Sequence, residues 1–116
     1  MLAKRSRLVK EKDFKTIFRR GKSFYAKIFG VKALANGLKE NRYGIVIGTK
    51  VSKKAVERNK LKRRLRAAIK EFDGKLVRGF DLIVIVSPSA KNQKYKFIKN
   101  ELEKALFTLK LFKPHV

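Results

Sequence analysis

The sequence predicts an α+β domain in the order α-β-β-α-β-α, with a central mixed sheet packed by helices. Three observations carry this expectation. Apolar residues recur at helical spacing in 11–20, 55–72 and 94–112. They form strand-like runs in 24–35, 43–50 and 80–87. One helix lies between the last two of those runs, and a strand–helix–strand unit of this kind pairs its strands in parallel.

Within 11–20, Phe14, Ile17 and Phe18 stand at i, i+3 and i+4, one face of a helix. Gly21 follows, where a left-handed C-terminal residue is expected. Residues 24–35 read as a single strand whose alternation puts Ile28, Gly30, Lys32 and Leu34 on one face. Asn36-Gly37 opens a loop before 43–50, so these two strands are expected to form a hairpin. In 55–72 a stripe of Leu61, Leu65, Ala68, Ile69 and Phe72 faces inward at about 100° per residue. Residues 80–87 are apolar almost without interruption, as in a strand buried on both faces, and Pro88 stops it. The last helix carries Phe97, Ile98, Leu102, Ala105, Leu106, Leu109 and Phe112.

Composition narrows the function. The 116 residues include 32 Lys and Arg against 9 Asp and Glu, a formal charge of +23, yet 44% of them are hydrophobic. Such a chain folds, as one domain over 1–116 with 1–10 as a flexible basic arm, and its charge calls for a polyanionic partner. It has no cysteine, no apolar run of membrane-spanning length and no signal core after Met1–Arg7, so a cytoplasmic protein without membrane attachment is expected. The single histidine, His115, stands one residue from the end, and the carboxylates are scattered. Neither protein-borne acid–base nor two-metal catalysis is expected from such a set, no metal-site residue is singled out, and no organic cofactor is expected.

The cations are unevenly placed. Lys50 to Lys70 holds ten Lys and Arg and one acid, Glu57; residues 1–32 hold eleven and two. On the 55–72 helix Asn59, Arg63, Arg66 and Lys70 point away from the apolar stripe, while Arg58, Lys62 and Arg64 border it. An ordinary charged face is merely solvated and mixes its signs, because like charges four apart cost a few tenths of a kcal/mol. On this outer face no acid offsets them, which fits a surface awaiting phosphates. Phe14 and Phe18 read either as core or as rings left open for unstacked bases. Lys32, beside Gly30 on a strand face, fits a groove better than a sealed core.

The run Lys54–Arg66 (KAVERNKLKRRLR) resembles the signature of the protein subunit of bacterial ribonuclease P, Ala-Val-x-Arg-Asn-Arg-x-Lys-Arg-x-x-Arg. Arg7-Leu8, Asp13-Phe14, Phe18, Gly21 and Ser23 match further family positions, and Gly79-Phe80-Asp81 leads into a run like the family's last strand. Lys60 departs from the signature by keeping the charge and losing the guanidinium fork. Lys32 falls at a groove position where relatives can carry an aromatic residue.

The resemblance implies an α+β fold with a left-handed βαβ crossover, against the usual right-handed rule. It implies a ribonucleoprotein endoribonuclease that removes the 5′ leader of precursor tRNA. In it the catalytic RNA holds the Mg²⁺ ions, the protein contributes binding, and no obligatory protein partner is expected. By position, Arg58, Asn59, Lys60, Lys62, Arg63 and Arg66 face the RNA subunit, and Phe14, Phe18, Lys32, Lys50 and Lys53 form the leader groove. A ribosomal or ribosome-assembly protein is the main alternative. A duplex-DNA binder and a protein-only nuclease stand behind it.

Overall fold

A computed structural model describes residues 6–114. His115 and the first half of the expected arm lie outside the described residues. The elements are α1 (Glu11–Arg20), β1 (Lys22–Tyr25), β2 (Phe29–Ala35), β3 (Arg42–Val46), α2 (Ala55–Asp73), β4 (Phe80–Val86), a short 3-10 turn (Pro88–Ala90) and α3 (Tyr95–Thr108). The α+β reading holds.

The four strands lie in the order β1-β2-β4-β3. β3 and β4 are parallel neighbours joined through α2, as the strand–helix–strand pattern requires. Two strand expectations fail. Residues 24–35 are two strands, because the chain turns at Ala26–Ile28 and β1 folds back antiparallel on β2. The hairpin between 24–35 and 43–50 does not form, because β4 inserts between β2 and β3 and pairs with both. β4 is the most apolar strand of the four, and the central place buries it on both faces.

The two faces are covered differently. Phe29, Val31 and Ala33 of β2 and Leu82, Val84 and Val86 of β4 join the inner stripes of α2 and α3 in the main core. The α2 stripe is the expected one, Leu61, Leu65, Ala68, Ile69 and Phe72. In α3 only Ile98, Leu102, Ala105 and Leu106 are buried, and Phe97 is exposed. Ile28 also belongs to this core, not to the Gly30–Lys32–Leu34 face, since it precedes the strand. On the opposite face a smaller core of Leu8, Ile17 and Ile83 lies under α1.

Two local expectations change. Gly21 is extended (φ −71°, ψ 152°), not left-handed. A Cβ there would stand 2.6 Å from the Ile17 carbonyl oxygen and 3.1 Å from that of Ala33, so close approach demands this glycine. The arm is anchored from Arg7 onward: Arg7 bridges to Tyr43 in parallel, the Leu8 N–H donates to the Tyr43 carbonyl at 2.8 Å, and Leu8 is buried.

Candidate nucleic-acid interface

The register of the sheet explains the shape of the α1 face. Leu34, Asp81 and Arg42 form one row across it; Ser23, Lys32, Ile83 and Gly44 form the next; Tyr25, Gly30, Ile85 and Val46 form a third. α1 crosses above the first two rows. Asp13 near its start meets Arg42 of β3, and Gly21 at its end lies against Ala33 of β2. The third row is left partly open, with Val46 and Ile85 half-buried and Tyr25 exposed.

This row is the floor of a groove running across the strands. Phe14 and Phe18 lie on one side of α1, which forms a wall. Phe18 is 41% exposed, whereas Phe14 is half-buried with its ring against Gly44. Thus the two phenylalanines divide the roles that the sequence left open: one is mostly packing, the other mostly surface. Lys32 stands in the second row, at the edge of the floor and beneath the end of α1. Its Nζ donates to Ser23 Oγ at 2.9 Å and to the Phe18 carbonyl at 3.4 Å, where a cation also favours the helix C-terminus. Lys50 and Lys53 are exposed on the loop that leaves β3 beyond Val46, at the open end of the strands. The 43–50 strand expected there stops at Val46.

α1 is held in place by charge. Arg42 donates to both oxygens of Asp81 (Nε to Oδ1 2.8 Å, Nη2 to Oδ2 2.7 Å) and from Nη1 to Asp13 Oδ2 at 3.4 Å. Asn36 donates to the same Asp81 oxygen at 2.8 Å. The Asp81 hydrogen bond holds the Arg42 pKa above its ordinary value, against the effect of burial.

At the β3 edge the groove wall meets α2. A cavity of about 200 Å³ is lined by Arg7, Leu8, Phe14, Gly44, Lys62 and Arg66, among others. Three cations line it with no carboxylate among the lining residues, and Arg7 Nε is buried with no hydrogen-bond partner among the described residues. The α2 residues therefore fall into three groups. Asn59, Lys60 and Arg63 are exposed; Lys62 and Arg66 are half-buried at the cavity. Arg58 is engaged internally, its Nη1 donating to the Ser52 carbonyl at 2.8 Å. The same Ser52 accepts the Lys54 N–H at 3.2 Å and donates to Glu57 at 2.7 Å, and that bond holds the Glu57 pKa below its ordinary value. This fixes the start of α2 against the Lys50–Lys53 loop.

The Ribonuclease P family profile matches residues 2–110. This chain belongs to the ribonuclease P protein family. It is 37% identical over 103 residues to the ribonuclease P protein component of Synechocystis, covering 88% of this chain and 83% of that one. With the component of Picosynechococcus it shares 34% identity, covering 98% of both. The solved Staphylococcus aureus RNase P protein superimposes with a TM-score of 0.85 at 33% identity, over 93% of this chain and 98% of that one. For the Thermotoga maritima protein the TM-score is 0.77 at 33% identity, over 84% and 92%.

Sequence reasoning placed Arg7 among the family positions but gave it no role, and it missed Tyr25 and Gly44. Arg7 and Gly44 act through Tyr43 and Phe14, distant in sequence, and Tyr25 through Gly30 across a turn where the sequence reads as continuous strand. Among the described residues no group of three or more His, Cys, Asp or Glu could hold a metal ion. Asp13 and Asp81, on the α1 face, both pair with Arg42.

Proposed function

We propose that this chain is the binding subunit of a cytoplasmic ribonuclease P that assists removal of the 5′ leader from precursor tRNA. The outer face of α2, with Asn59, Lys60 and Arg63, binds the catalytic RNA. Lys62 and Arg66 bind it at the cavity, and Arg58 shapes the start of the helix beside them. The groove between α1 and the Lys50–Lys53 loop receives the single-stranded leader, with Phe14 and Phe18 as wall and Lys32 as a cation at the edge of the floor.

The observation that carries this reading is the groove itself: an open row of sheet beside Phe14 and Phe18 of α1, with Lys32 at its edge, adjoining a helix of seven bases and three acids. A leader of arbitrary sequence is held through stacking and backbone charge, not through a base code. The Mg²⁺ ions and the hydrolytic step belong to the RNA, and the protein supplies counter-charge that lets the RNA pack at lower metal concentration.

The test is cleavage of precursor tRNA at low Mg²⁺ by a bacterial ribonuclease P RNA, with and without this chain. Strong stimulation is expected, lost with Arg63→Ala plus Arg66→Ala. No stimulation of an RNA that is active alone at high Mg²⁺ would refute the reading and favour a ribosomal RNA target.

A further inference from the structure

We propose that Tyr25 is the base-stacking platform of the groove and that Lys32 beside it reads the edge of the stacked base. This inference rests on the reading above and deepens it. A lone exposed aromatic residue is commonplace on protein surfaces. Tyr25 differs because the sheet is built around it. It is 70% exposed, yet its ring is seated on the backbone of its cross-strand partner Gly30. A Cβ on Gly30 would stand 2.8 Å from Tyr25 Cδ1 and 3.0 Å from Cε1, so any side chain there would lift the ring. Glycine inside a strand weakens it and commonly marks the close approach of another group. Here that group is the ring.

The ring is therefore held in place before any ligand arrives, and the loss of side-chain freedom on binding is small. Lys32 Nζ lies 6.0 Å from the ring centroid. Ser23 Oγ and the Phe18 carbonyl take two of its three donors, and no carboxylate pairs with it among the described residues. The third donor is left for a ligand. A flat group laid on the open face of Tyr25 therefore has the Lys32 ammonium beside it.

An unpaired nucleobase has that chemistry. Stacking accepts any of the four, but an ammonium donor favours an edge bearing a carbonyl. Guanine and uracil present O6 and O4, where adenine and cytosine present an amino donor. The subsite thus prefers G or U at one leader position.

The experiment uses the holoenzyme reconstituted from this chain and a bacterial ribonuclease P RNA. Precursors carry one abasic substitution at each leader position in turn, then each of the four bases at the sensitive one. One position is expected to lose about 5- to 150-fold in affinity when abasic, the range that stacking on one ring supplies. Tyr25→Ala should erase the penalty at that position alone, and Tyr25→Phe should keep it. Lys32→Met should keep the abasic penalty and flatten the preference for G or U. If Tyr25→Ala retains the penalty of the wild type, the platform is not Tyr25 and the proposal fails while the groove reading stands. A wild-type holoenzyme that binds leader-bearing and leaderless precursors equally would overturn the groove reading and this inference together.

Discussion

The ring of Phe14 occupies the space that a side chain on residue 44 would need: a Cβ on Gly44 would lie 2.7 Å from Phe14 Cζ and 2.8 Å from Cε1. Gly44 shares its row with Ile83 and Lys32, so this one contact sets how low α1 sits over the sheet at the β3 edge. The consequence is testable with a single methyl group. Gly44→Ala is expected to cost about 1–3 kcal/mol through overpacking and to push Phe14 toward the groove. Thermal melting should fall modestly, and discrimination between precursor and mature tRNA should fall with it. Unchanged discrimination would mean that the Phe14 wall does not shape the groove.

The Arg42 fork gives a second prediction. Asp81 is 5% exposed and accepts three hydrogen bonds from Arg42 and Asn36. Asp81→Ala leaves the guanidinium without its bidentate partner at a partly buried site. Removing one member of a buried pair costs roughly 3–5 kcal/mol, and solvent reaching Arg42 places this case near the lower bound. Denaturant unfolding should show that loss. A change below about 1 kcal/mol would make the pair a surface ornament in energetic terms.

On α2, exposed Arg63 and cavity-lining Arg66 are expected to behave alike in one respect and differently in another. Each that contacts a phosphate should lower the slope of log affinity against log salt by about one when changed to Ala. Arg66→Ala also opens the cavity beside Phe14, so it alone should weaken precursor binding as well. Titrations of RNA subunit and precursor over a salt series separate the two. Equal slopes in wild type and Arg63→Ala would reduce that residue to solvated charge.

Much of this was legible in the sequence, and the failures share a physical cause. The limits of α1 and the α2 stripe follow from periodicity, because a helix face is written in residues three and four apart. The parallel β3–β4 pair follows from the helix between them. What periodicity does not contain is the partner of a strand: 24–35 and 43–50 looked adjacent because they are consecutive, and the insertion of β4 between β2 and β3 is a long-range choice. The same limit hid Tyr25 and Gly44, whose roles depend on Gly30 across a hairpin and on Phe14 from another element. Arg58 shows the converse, a motif residue whose charge was legible and whose internal bond to Ser52 was not.

The α2–α3 contact yields a pH prediction. Glu71 and Lys99 form an ion pair across these helices, and Lys99 also lies 5.8 Å from the Phe72 ring centroid. The Lys99 hydrogen bond holds the Glu71 pKa below its ordinary 4.5, and the Glu71 hydrogen bond raises Lys99 above 10.5. A depressed carboxylate stabilises the fold above its unfolded value and loses that effect as pH falls through the folded one. A raised ammonium stabilises below its unfolded value and loses the effect as pH rises through the folded one. The pair therefore contributes fully between 4.5 and 10.5 and fades on both sides. Glu71→Gln should melt below wild type by a constant, modest interval at neutral pH, and the interval should close in acid as Glu71 is protonated. Both side chains are more than one-third exposed, so high salt should shrink the interval as well. An interval that persists unchanged in acid would assign the effect of the substitution to local packing, not to the charge of Glu71.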